Sequence, residues 1–343
     1  HKNSKILVHI KKINSNDNSL EIGYYNLKDT RDFIKIDKSE AWCWQQGSRL
    51  RWIDGNNIIS YNCVRDGNYV NIFKNISDGK EKIISKPIYD ITKDGLKGVS
   101  LNFSRLGRLR PGYGYDLIKD FSDKVNIPKN DGVYLIDIKN NKSKLIVSFE
   151  ELNDLFPVEK KFNNCNQYFN HLSFNPSGDK FVFFHILSRN KLRKIRTFYY
   201  DLSLKKYFLI EKKLTLSHFC WRNDNQLLFT VVDQKKSYYS LYDVKSEKFI
   251  KKIKNLNLDG HPTFTKSKNI FISDTYPDSS NFQKIFKHNM NNNETIILGN
   301  FYKEYRFQND LRCDLHPRLS KNSEFATIDS THKGNRGIYI LKI

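Results

Sequence analysis

Apolar and polar positions alternate in short runs along nearly the whole chain, and no segment carries the longer period of an extended amphipathic helix. The runs come in pairs. "LRWIDGNNIISYN", "YDITKDGLKGVSL", "LSFNPSGDKFVFF", "FCWRNDNQLLFTV", "PTFTKSKNIFISD" and "PRLSKNSEFATID" each join two β-forming stretches by a turn rich in Asp, Asn, Gly, Ser or Lys, the sequence form of a hairpin. A second hairpin with a polar tip follows: "VNIFKNISDGKEKII", "GVYLIDIKNNKSKLIV", "TFYYDLSLKKYFLIE", "YSLYDVKSEKFIKKI" and "KIFKHNMNNNETIIL". Two hairpins make a four-stranded antiparallel sheet, and repetition every ~40 to 50 residues is the signature of a propeller blade. A further copy of the second hairpin, "LEIGYYNLKDTRDFIKI", opens the chain, and the last copy, "RGIYILKI", stops after one strand.

The pattern therefore predicts an all-β fold, a seven-bladed β-propeller forming a single domain over residues 1–343, with incomplete blades at both ends. One long insertion, about 104–130, should lie over one face and wall a pocket entrance. The segment between Phe149 and Gln167 is the other long connection. "RCDLHPRLS", residues 312–320, reads as a strand by its alternation. Both of its faces are polar or ionisable, so it must end in water or aim its side chains at something.

Composition supports this reading. At 343 residues the chain exceeds the usual single-core limit unless it is a repeat or closed β architecture. Lys and Arg number 58 against 37 Asp and Glu, a formal charge of +21, which favours a polyanionic partner. The lysines are scattered, as a Lys- and Asn-rich genome would also leave them. Cys43, Cys63, Cys165, Cys220 and Cys313 form no CxxC pair, against a disulfide framework or a zinc knuckle. No apolar run is long enough to span a membrane, and no leader is visible after His1, so a cytoplasmic location is expected, or a periplasmic one if a leader was removed. Phosphate loops, nucleophile elbows, H-E-x-x-H and nucleic-acid signatures do not occur, so a nucleic-acid partner is not expected.

In a propeller the residues just before each blade's first strand crowd one end of the channel. His171, His218, His261 and His316 all fall there, one per repeat. A histidine at such a place can also serve only to bond a neighbouring blade's backbone. The second strands end in polar residues as well, adding His185, Asp274, Asp329, His332, Arg336, Arg105, Arg108 and Arg110. Cations beside imidazoles describe a pocket for an anionic ligand. The substrate-binding candidates are Arg105, Arg108, Arg110, Tyr113, His171, His185, Arg312, Arg318, His332 and Arg336. Trp42, Trp44, Tyr113 and Tyr115 supply flat faces for sugar rings, although Trp44 reads equally well as inter-blade core.

The motifs "DGHPTFTKSKNIFISDTYPD" and "RCDLHPRLSKNSEFATIDSTHKGNRGIYIL", with "SHFCW", "WCWQQGSRLRW" and "FSRLGRLRPGYGYD", resemble the oligogalacturonate lyases and their lyase-like propeller relatives, from about Trp42 to the C-terminus. The resemblance implies a seven-bladed propeller with a divalent metal, usually manganese, held by three His and a Gln, and a separate His as base. His261 and His316 match metal ligands. Asp314 stands where the lyases have a second His, and their Gln falls near Leu311, which cannot ligate. His261, Asp314 and His316 would then form a two-His, one-carboxylate set. His218 matches the base, and Arg196 is grouped with it as catalytic. His218 is further read as lacking an adjacent carboxylate, which suits it to proton transfer more than to metal binding.

β-Elimination from a uronic acid removes the proton α to the carboxylate, which a metal or arginine must neutralise to stabilise the enediolate. An imidazole can take that proton. The expected function is β-elimination on an acidic oligosaccharide or polysaccharide. The alternative is a propeller that binds acidic glycan, or acts as a scaffold in surface-polysaccharide metabolism, without catalysis.

Overall fold

The computed structural model describes residues 5–12, 17–27, 32–54, 57–234, 236–254 and 256–343. Seven antiparallel sheets follow one another along the chain, five of four strands and, first and last, two of three. This is the fold class of a seven-bladed β-propeller. The hairpin tips at Gly55–Asn56 and residues 28–31 lie outside the described residues.

By contact density the chain divides into two compact units, His1–Lys194 and Ile195–Ile343. The first unit holds blade 1 (Lys5–Ile10, Leu20–Asn26, Phe33–Ser39), blade 2 (Arg51–Asp54, Ile58–Arg65, Asn68–Asn75, Glu81–Ile84) and blade 3 (Asp90–Ile91, Lys97–Ser100, Gly132–Asp137, Lys142–Ser148). Blade 4 begins there with Asn166–Phe174 and Lys180–Arg189, the chain passes into the second unit inside Leu192–Asp201, and Lys206–Glu211 is the blade's fourth strand. The predicted insertion is the 101–131 connection of blade 3, opening with a seven-residue helix, Phe103–Leu109, capped by the Asn102 side chain. The Phe149–Gln167 connection carries another short helix, Phe149–Leu155.

The second unit continues with blade 5 (Thr215–Trp221, Gln226–Asp233, Lys236–Asp243, Lys248–Lys252), blade 6 (Thr263–Phe264, Ile270–Asp274, Phe282–Asn289, Glu294–Tyr302) and blade 7 (Arg318–Leu319, Phe325–Ser330, Gly337–Lys342). Two apolar clusters set the spacing of these blades. Leu228, Tyr239 and Leu241 of blade 5 pack with Phe264, Phe271 and Phe286 of blade 6. Ile272 and Ile285 of blade 6 pack with Leu315 and Ile328 of blade 7. Burying each such side chain is worth about 1.5–3 kcal/mol, enough to hold the segments before the first strands in fixed register.

The "RCDLHPRLS" segment is not a strand. Only Arg318–Leu319 pairs, and residues 312–317 form an irregular entry to blade 7. Pro317 lacks the N–H a ladder needs, and His316 takes a left-handed φ of 41°, which breaks the alternation. Cys313, Asp314 and Leu315 turn inward instead.

Candidate functional site

Three segments of the second unit meet at their polar ends. His218 lies within the first strand of blade 5, at a register shift between Leu216 and His218. His261 and His316 occupy the loops before the first strands of blades 6 and 7. In each case the residue three positions on, Trp221, Phe264 or Leu319, belongs to that strand, so the repeat aligns the imidazoles. The ring centroids of His218 and His261 are 4.1 Å apart, and those of His261 and His316 are 3.8 Å apart.

Asp274, buried at the end of the second strand of blade 6, organises the pair. It accepts the His261 backbone N–H at 2.6 Å, the His316 backbone N–H at 2.9 Å and the His261 Nδ1–H at 2.9 Å. A side chain at Gly260 would put its Cβ 1.9 Å from the Asp274 carbonyl oxygen, so only glycine lets the loop approach this closely. Burial raises the Asp274 pKa. Burial, reinforced by His218 and Arg312, holds His261 well below the usual imidazole range. Burial and then His261 push His316 down to about 3. Both imidazoles are therefore neutral near pH 7, the state in which a histidine ligates metal.

Asp314 completes the group. It is buried, and neither carboxylate oxygen accepts a hydrogen bond among the described residues. Arg312 Nε stands 2.7 Å from Oδ2 as an ion pair, outside hydrogen-bond alignment. One ligand atom each of His261, Asp314 and His316 lies within 4.8 Å of the others, so the three could hold a metal ion. A buried carboxylate with unmet acceptors, beside neutral imidazoles one of which is oriented by a second carboxylate, is a donor set that fits a divalent cation.

His218 does have a carboxylate partner, contrary to the reading from sequence. Its Nδ1 is 3.0 Å from Asp259 Oδ1, and Ser217 donates to Asp259 Oδ2 at 3.0 Å. Tyr276 Oη lies 3.3 Å from Nε2. Asp259, Ser217 and Tyr276 were missed as site residues. The signals were adjacency: Asp259 two residues before His261 in "DGHP", Ser217 in "SHFCW", and Tyr276 two residues after Asp274 in "SDTYPD".

The other candidates in this unit are distributed otherwise. Arg318 forms a two-pronged ion pair with Asp329, both contacts at 3.0 Å. His332 bonds Ser330 Oγ at 2.8 Å and packs 4.3 Å from the Tyr339 ring. Arg336 lies near Cys313, whose thiol burial pushes up to about 12 against the opposing pull of the Arg336 charge. Arg196 is buried, its guanidinium 5.4 Å from the Phe198 ring centroid, and burial lowers its pKa to about 10.

In the first unit Arg110 stacks over Tyr113 at 5.0 Å, and Tyr113 faces His171 with centroids 6.2 Å apart. His185 is fully buried, bonded to Gln167 Oε1 at 2.7 Å. Arg108 holds Asp120 at 2.8 Å. Arg105 is also buried. Its guanidinium donates to the carbonyls of Gln167, Ser122, Val125 and Asn126 and to Ser122 Oγ, which anchors the insertion from within.

No protein-family model matches the chain, and no curated protein sequence matches it. Solved structures do. Oligogalacturonate lyase in complex with manganese superposes with a TM-score of 0.72 at 13% identity, over 99% of this chain and 86% of that one. A prolyl endopeptidase matches with a TM-score of 0.61 at 11% identity, and the tricorn protease with 0.59 at 8%. These cover 100% and 99% of this chain but only 46% and 34% of theirs. At such identities the likeness shows the seven-bladed propeller fold. Among the described residues no helix is long and apolar enough to cross a membrane.

Proposed function

We propose that the chain is a lyase that cleaves acidic, uronic-acid oligosaccharides by β-elimination. One observation carries the reading: His218, held by Asp259, stands with its ring 4.1 Å from His261, which shares a cation-competent cluster with Asp314 and His316. A divalent ion there, manganese by analogy with the lyase complex, would neutralise the substrate carboxylate and acidify its α-carbon. The chain's own residues do the rest. Asp259 accepts from Nδ1 and leaves Nε2 as the proton acceptor. Arg312, beside Asp314, supplies a second positive charge for the carboxylate. The net charge of +21 draws acidic chains toward the protein.

A second reading, a propeller that binds acidic glycan without cleaving it, is favoured by one departure from the lyase pattern: Leu311 and Asp314 stand where the resemblance implies Gln and His. Incubation with a panel of uronides separates the two. Lyase action yields the ultraviolet band of an unsaturated uronate, lost on chelation of the metal and in His218→Ala. Binding without that band leaves the second reading, and neither binding nor turnover on any acidic oligosaccharide removes both.

A further inference from the structure

Proton abstraction accounts for only half of an elimination, because the departing oxygen also needs a proton. The surroundings of His218 speak to that half. Asp259 and Ser217 occupy its Nδ1 side. An ionised carboxylate only accepts, so the ring proton sits on Nδ1 and the Nε2 lone pair points away from Asp259. There it meets the phenol of Tyr276 at 3.3 Å. Tyr276 follows Asp274 by two residues, so the segment that orients His261 and His316 also places this hydroxyl. Its ring stands edge-on to His261 at 5.9 Å, with the Arg312 guanidinium 5.6 Å away. It is therefore in contact with the cation-competent cluster as well as with the base.

We propose that Tyr276 is the catalytic acid of the reaction and that it works with His218 on one face of the sugar ring. The inference rests on the lyase reading above. His218 Nε2 takes the proton from the carbon α to the carboxylate, and the electrons of that C–H bond form the new double bond. The bond from the β-carbon to the linkage oxygen breaks, and its electron pair stays with the oxygen, which takes the Tyr276 hydroxyl proton. The imidazolium then returns its Nε2 proton to the phenolate across the 3.3 Å contact, and both groups are restored. No oxidant or reductant is needed.

The spacing selects the substrate's configuration. A base and an acid this close reach the same side of the bond, so proton and leaving group depart syn. Uronides with an equatorial linkage oxygen, of gluco or manno configuration, place that oxygen gauche to the axial α-hydrogen. The galacto configuration sets the two antiperiplanar, which calls for acid and base on opposite faces. The substrate class is thus an equatorially linked polyuronide.

The test follows formation of unsaturated uronate from glucuronate, mannuronate and galacturonate oligomers by wild type, Tyr276→Phe and His218→Ala. A synthetic uronide carrying para-nitrophenoxide on the β-carbon, a leaving group that needs no proton, is the fourth substrate. Wild type should cleave the equatorially linked oligomers and spare galacturonate. Tyr276→Phe should lose ~10²–10⁴-fold on the natural oligomers, keep its affinity for them in titration calorimetry, and recover the wild-type rate on the nitrophenoxide. His218→Ala should recover nothing. Galacturonate preference, wild-type rates in Tyr276→Phe, or equal losses on both kinds of leaving group overturn the inference while the lyase reading stands. Absence of unsaturated product from wild type on all four substrates overturns both.

Discussion

Replacing Asp274 by Ala removes the acceptor that fixes His261 and His316 together. Three N–H groups lose their partner: two from the backbone and the ring Nδ1–H of His261. A buried donor left unmet costs about 1–3 kcal/mol, so the gross loss lies near 3–9 kcal/mol. Two effects reduce it. The His261 side chain is 16% exposed, which lets water reach part of the gap, and the fold no longer holds a carboxylate whose pKa burial has raised. The expected net loss is about 3 kcal/mol, read as a drop in melting midpoint of roughly 2–4 °C per kcal/mol. Asp274→Asn keeps one acceptor oxygen and should lose about half as much. Because Asp274 also orients His261, manganese affinity measured by calorimetry should fall ~10–100-fold in Asp274→Ala. An Asp274→Ala protein that melts with wild type and binds manganese as tightly would refute the claim that this carboxylate builds the cluster.

Asp259→Ala should lower turnover toward the ~10²–10⁴-fold loss expected for His218→Ala, with little change in substrate affinity, since Asp259 acts by holding the tautomer. His218→Ala itself should leave metal content and melting temperature unchanged; a lower melting temperature with intact turnover per folded molecule would make His218 a strand-end residue. Stability should fall on acidification from pH 6.5 to about 3, because the unfolded chain protonates His316 in that window while the folded protein refuses the proton; thermal melts of wild type and His316→Asn across that range should converge as pH drops. In the first unit, Arg110→Ala should weaken binding of an acidic oligosaccharide and flatten its salt dependence while the melt is unchanged, whereas Arg105→Ala should destabilise the 101–131 insertion, seen as faster proteolysis there.

The blades were legible because each turn carries its own chemistry. "NPSGDK" places Gly178 at a φ of 70°, and the polar tips repeat at similar spacing. The alignment of His218, His261 and His316 followed from the same repeat. What stayed hidden depended on contacts between segments distant in sequence. Asp259 reaches His218 from 41 residues away, and nothing local to "SHFCW" signals it. Alternation misread 312–317 as strand, because Pro317 and the left-handed His316 break a ladder that the polarity pattern alone implies. Arg105 read as a ligand contact by its charge, whereas helix Phe103–Leu109, too short to show a period, turns it inward onto backbone carbonyls. Charge is visible in a sequence, but the direction of a long side chain is set by the fold.

His261, Asp314 and His316 are proposed to form a cation site beside the base. Calorimetric titration of metal-stripped wild type with manganese, against Asp314→Asn in parallel, tests it most directly. One ion should bind per chain, with a melting temperature that rises as manganese is added, and both effects should be lost in Asp314→Asn. Equal binding by the two proteins, or no binding by wild type, would contradict it.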